Sequence, residues 1–133
     1  MTRSPSVPIR LPNLMALTVL AALMVACGGG TTPTPAPAYP AGSVVVTARD
    51  RHFDTTELHL PANAATSLVL VNEDSDSHNI AIRTKAGFEG DVVFRHDPVS
   101  ATTIVLTVGP IAAGTYFFIC EVHPTMSGTV VVQ

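Results

Sequence analysis

From Ser43 onward, short apolar and β-branched runs alternate with clusters of turn-forming residues, and hardly any stretch repeats at the helical period. The pattern predicts about seven strands: Ser43 to Ala48, Glu57 to Leu60, Ser67 to Asn72, Asn79 to Arg83, Thr103 to Val108, Thr115 to Cys120 and Gly128 to Val132, with Val92 to Phe94 as a short edge piece. The separators carry turn chemistry: Pro61-Ala62-Asn63, Glu73-Asp74-Ser75-Asp76, Gly87 and Gly90, Asp97-Pro98, Gly109-Pro110 and Gly114. An all-β sandwich over residues 43–133 accounts for this arrangement. In the run Thr115 to Cys120, Tyr116, Phe118 and Cys120 share one face while Phe117 and Ile119 share the other. Both faces are apolar, which predicts a central strand delivering Cys120 to one end of the sandwich.

The first 42 residues follow a different pattern. Arg3 and Arg10 precede a thirteen-residue run, Leu14 to Ala26, that is apolar except for Thr18. A membrane-spanning helix needs roughly twenty residues, so residues 1–26 read as a cleaved export signal. The junction Leu23-Met24-Val25-Ala26-Cys27 resembles a bacterial lipobox, with Met24 in place of the usual Leu, and Cys27 is the expected lipidation site. An ordinary signal peptide with an incidental cysteine is the competing reading. Residues 27–42, rich in Gly, Pro, Thr and Ala, cannot build a core and suit a tether. The protein is therefore expected in the cell envelope outside the cytoplasm, periplasmic or at the cell surface, held to a membrane by lipid. Gly28 rather than Asp follows Cys27, so the inner-membrane retention signal of many lipoproteins is absent.

Removing the leader leaves five Lys and Arg against ten Asp and Glu, a formal charge of −5. The remaining basic residues are scattered and outnumbered, which argues against nucleic acid as a partner. An acidic surface suits a basic protein partner instead. If Cys27 carries lipid, Cys120 is the only thiol left, and a lone thiol in an oxidising compartment needs something to hold it.

That thiol opens the segment Cys120-Glu121-Val122-His123-Pro124-Thr125-Met126-Ser127-Gly128, in which thiolate, imidazole and thioether recur every three residues. Met126 is the only methionine after the leader. Pro124 stiffens the loop and Gly128 is expected to let the chain turn back into the last strand. Two histidines, a thiolate and a weak axial Met describe a blue-copper site, whereas structural zinc takes four strong ligands. The second imidazole has four candidates, His52, His59, His78 and His96. His78 is preferred because it follows a polar loop and opens an alternating strand, placing it at a strand end. His52, His59 and His96 are expected to be surface or packing residues.

The strand Gly114 to Cys120, the loop Cys-x-x-His-Pro-x-Met-x-Gly, the closing Thr129-Val130-Val131-Val132 and the upstream Asn72-x-Asp74 followed by His78-Asn79 resemble the cupredoxins. The two-residue spacing between His123 and Met126 is most similar to the amicyanin group. The resemblance implies a Greek-key β-sandwich of seven to eight strands holding one type 1 copper ion. It further implies His78, Cys120 and His123 as strong trigonal ligands, Met126 as the long axial one, and Asn79 as the residue that ties the two ligand loops together with its N–H aimed at the thiolate. His123 is the implied electron port where redox protein partners dock, and a monomer is expected. Where the plastocyanin and amicyanin groups commonly carry Pro two residues after the Cys, this chain has Val122, whose N–H is free to draw charge from the thiolate. The function expected is electron transfer; copper delivery or storage is the rival, although storage sites gather several Met or His. An enzyme is not expected. A copper oxidase or nitrite reductase uses His-x-His pairs, and none occurs. A Cys-His hydrolase would lack an orienting third group.

Overall fold

The computed structural model describes residues 38–133, so the leader, Cys27 and most of the tether lie outside the described residues. Every regular element among the described residues is a strand: β1 (Val44–Arg49), β2 (His52–Phe53), β3 (Glu57–Leu60), β4 (Thr66–Asn72), β5 (Ser77–His78), β6 (Ala81–Arg83), β7 (Val92–Arg95), β8 (Val99–Ser100), β9 (Thr103–Val108), β10 (Gly114–Ile119) and β11 (Ser127–Val132). One sheet runs β2-β1-β4-β9 and the other β3-β11-β10-β6-β7, with β5 and β8 as a separate two-stranded ribbon. The chain passes repeatedly from one sheet to the other, and β1 with β4 and β3 with β11 pair in parallel. Such connections make a sandwich in place of a simple meander.

Alternation decides which side chains meet between the sheets. Val46 and Ala48 of β1, Leu58 and Leu60 of β3, Leu68 and Leu70 of β4, Ile82 of β6, Phe118 of β10, and Val130 and Val132 of β11 join one buried cluster. In β3 the pattern is clean, with Glu57 and His59 exposed and Leu58 and Leu60 buried.

The predicted strands are all present within a residue or two of their expected ends, with one exception. Asn79 to Arg83 is not a single strand. His78 closes β5, whose partner is Val99 of β8, and β6 begins only at Ala81. Between them Asn79 and Ile80 spend their polar groups elsewhere, as described below. The segment is also buried without interruption from His78 to Arg83, so its alternation does not mark one wet face. The short strands β2, β5 and β8 were not foreseen, because two residues carry no periodicity.

Strand β10 lies at the centre of its sheet, between β11 and β6. Burial deepens along it: Tyr116 and Phe117 are partly covered, whereas Phe118, Ile119 and the following Cys120 are buried. Gly128 sits opposite Phe118 in the β10–β11 ladder. Its φ is not left-handed; what it supplies is room, since a Cβ there would run into the Thr56 carbonyl and the Phe118 ring. The freedom to turn expected of Gly128 is thus replaced by a packing requirement.

Candidate metal centre

Two separate segments bring the donors together at one end of the sandwich. The first is the connection from β10 to β11. Cys120 N–H donates to the Met126 carbonyl at 2.9 Å and Met126 N–H to the His123 carbonyl at 2.9 Å. The first of these bonds continues the β10–β11 ladder by one step and pulls Cys120 and Met126 side by side. The loop therefore closes on itself within seven residues. Cys120 is fully buried, Met126 is 2 % exposed, and both belong to the core cluster.

The second segment carries His78, fully buried at the end of β5. Its Nδ1 lies 3.7 Å from Cys120 Sγ and 3.2 Å from His123 Nδ1. The ligand atoms of His78, Cys120 and His123 all fall within 4.8 Å of one another. The His123 side chain keeps 22 % of its surface exposed, the one member of the three that reaches solvent. Val122 beside it is exposed.

Outward from the donors, both imidazoles face carboxylates. His78 Nε2 is 2.8 Å from Asp74 Oδ2, and His123 Nε2 is 4.0 Å from Asp76 Oδ2. The N–H of Arg51 does most to hold the Asp74 carboxyl below its ordinary pKa; partial desolvation opposes it, and the N–H of Asp50 with the His78 ring adds to the lowering.

Asn79 joins the two segments through its side chain. Its Oδ1 accepts from the Glu121 N–H at 2.8 Å, and its Nδ2 donates to Glu121 Oε2 at 3.0 Å and to the His96 carbonyl at 3.1 Å. Glu121 is the knot of this network, since Arg83 reaches Oε1 at 2.8 Å and Arg95 reaches Oε2 at 3.2 Å. Desolvation pushes the Glu121 carboxyl up, but hydrogen bonds from Arg83 and Asn79 and the charges of Arg95 and Arg83 outweigh it, leaving the pKa below its usual value. His96 props the other side: its Nε2 accepts the Ile80 N–H at 3.0 Å and its Nδ1 donates to the Asp97 carbonyl at 2.7 Å. Both bonds together require the neutral ring.

The structure thus brings together His78, Cys120 and His123, and places Met126 in the buried cluster that includes Cys120. His52 and His59 are exposed, the latter beside Glu57, and His96 is a packing residue. Sequence reasoning missed Asp74, Arg83, Glu121 and His96 as supports. The position of Glu121, next to the cysteine, was the available signal; for His96 there was none. Two imidazoles and one thiol make a trigonal donor set that fits copper.

A buried Cys-His-His cluster at one end of a two-sheet β-sandwich defines the small cupredoxins, and the chain belongs to this family: residues 16–132 match the cupredoxin-like domain. Over 94 residues it is 34 % identical to amicyanin-alpha of Methylorubrum extorquens, covering 71 % of this chain and 75 % of that protein. Among solved structures it is similar to amicyanin from Paracoccus versutus, with 28 % identity, a TM-score of 0.54, and coverage of 71 % of this chain and 85 % of that one. Auracyanin A of Chloroflexus aurantiacus, described as a blue copper protein, shares the fold at 22 % identity and a TM-score of 0.58, covering 68 % of this chain and 98 % of that one.

Proposed function

We propose that this protein is an extracytoplasmic electron carrier that holds one copper ion between His78, Cys120 and His123, with Met126 as a weak axial donor. Bound there, copper supplies a one-electron Cu(II)/Cu(I) couple. The observation that carries the reading is the convergence of two imidazole Nδ1 atoms and a buried thiol from two segments 42 residues apart. The chain's own contribution is to hold that geometry still. The ladder-closed loop fixes Cys120 against Met126, Asn79 and Glu121 lock the loop to the His78 segment, and burial keeps water from three of the four donors.

His123 is the exposed donor, so electrons enter and leave at its edge, where Val122 and Pro124 offer a small apolar rim to a protein partner. Asn79 acts by joining the segments and by aiming its N–H at the thiolate, and Val122 by the N–H that a proline would lack. A leader ending at Ala26 and a lipid on Cys27 would place this port outside the cytoplasm on a tether. Redox cycling tests the function. The copper-loaded protein should be reduced and reoxidised repeatedly while retaining its metal against a competing chelator. Prompt loss of copper on reduction would favour delivery instead.

A further inference from the structure

We infer that the Asp50–Arg51 turn between β1 and β2 is a latch that positions His78 and sets how strongly its imidazole donates. This rests on the copper reading above and deepens it. Both residues have positive φ, 52° and 60°, which non-glycine residues rarely adopt. Successive N–H groups in such a turn can converge on one anion. Here they converge on Asp74: Asp50 N–H donates to Oδ1 at 2.7 Å and Arg51 N–H to Oδ2 at 3.0 Å.

The Asp74 backbone is pinned as well. Asp74 N–H donates to Asn72 Oδ1 at 2.9 Å, and its carbonyl accepts from the Ala101 N–H at 2.9 Å. What this assembly presents to the metal centre is a fixed carboxylate oxygen 2.8 Å from His78 Nε2. A carboxylate accepts, so Nε2 carries a proton, and in the neutral ring that a metal requires Nδ1 keeps its lone pair, facing Cys120 Sγ and His123 Nδ1. The same turn treats the second carboxylate differently. The Arg51 guanidinium pairs with Asp76, 2.7 Å from Nε to Oδ2, and that oxygen stays 4.0 Å from His123 Nε2. One turn therefore commits Asp74 to the buried imidazole and neutralises the acid beside the exposed one.

Asp50, Arg51 and Asp74 are positioning residues. A carboxylate behind a ligating imidazole raises its basicity and so favours Cu(II) over Cu(I). Two measurements test this. In the copper-free protein, long-range ¹H–¹⁵N NMR should find His78 as the Nε2–H tautomer; an Nδ1–H ring overturns the latch, whether or not copper binds. In the copper-loaded protein, Asp74→Asn should lower the ratio of Cu(II) to Cu(I) affinity by about threefold or more, on a scale where tenfold raises the potential by ~59 mV. Asp76→Asn should move it less. A ratio within about threefold of wild type in Asp74→Asn, or a larger shift in Asp76→Asn, contradicts the proposal. Failure of the wild-type protein to take up copper would sink the electron-carrier reading while leaving the tautomer measurement to decide the latch.

Discussion

The two arms of the metal centre are built in opposite ways. The Cys120–Met126 arm closes on itself through its backbone: two hydrogen bonds join residues three and six apart and hold Cys120, His123 and Met126 on one short loop, while the Glu121 side chain reaches outward. The His78 arm has one local side-chain anchor, to Asp74 four residues before it, and depends otherwise on distant elements. It is held by His96 beyond β7, and through Asn79 by Glu121 on the other arm. A ligand loop can be carried by a short stretch of sequence, whereas a single buried histidine has to be held by the fold.

Breaking the joint between the arms should have the largest effect on stability. Glu121→Ala removes the partner of Arg83, whose side chain is 11 % exposed, and deprives Asn79 of one acceptor. Leaving a mostly buried charge unpaired costs about 3 kcal/mol. Urea denaturation should show a lower midpoint with an unchanged slope, and pairing Glu121→Leu with Arg83→Met should recover much of the loss.

The self-closing arm is more sharply probed at Gly128. Gly128→Ala forces a methyl against the Thr56 carbonyl and the Phe118 ring, an overpacking cost of about 1–3 kcal/mol. The loss should appear in the thermal midpoint, and a stability equal to wild type would mean that this junction is loosely packed.

For the distributed arm the probe is pH. Burial lowers the pKa of His96 from its ordinary 6.5, with the Asp97 carbonyl and charge opposing. The unfolded chain therefore binds a proton that the folded one resists. The contribution of neutral His96 is complete above 6.5 and is lost as pH falls from 6.5 through the lowered folded value. His96→Gln should flatten this acid limb of the stability curve, and an unchanged slope would show that the ring is not held neutral. The smallest effect belongs to Val122→Pro, which should lower the reduction potential of the copper-loaded protein by removing an N–H from the neighbourhood of the thiolate. No shift, or a rise, would count against that role.

The same contrast explains what the sequence revealed. Cys120, His123 and Met126 are legible because their spacing is itself the geometry, and the strands are legible because burial alternates in runs such as Glu57 to Leu60. His78 could be singled out only by its place after a polar loop. Of its supports only Asn79 was expected, through the family resemblance; Asp50 and Arg51 reach Asp74 through backbone N–H groups in a turn of positive φ, and His96 reaches the Ile80 N–H, contacts that leave no periodicity. The interruption of strand pairing at Asn79–Ile80 was hidden for the same reason: a run that is apolar and alternating reads as one strand whichever partners its polar groups find.

The central claim is that these donors form one copper site of the thiolate-imidazole kind. One measurement addresses it most directly: titrate the purified protein with Cu(II) and follow visible absorption. An intense blue band that saturates at one equivalent and is abolished in Cys120→Ser is the predicted result. A colourless complex, or a band that survives the loss of the thiol, would contradict it.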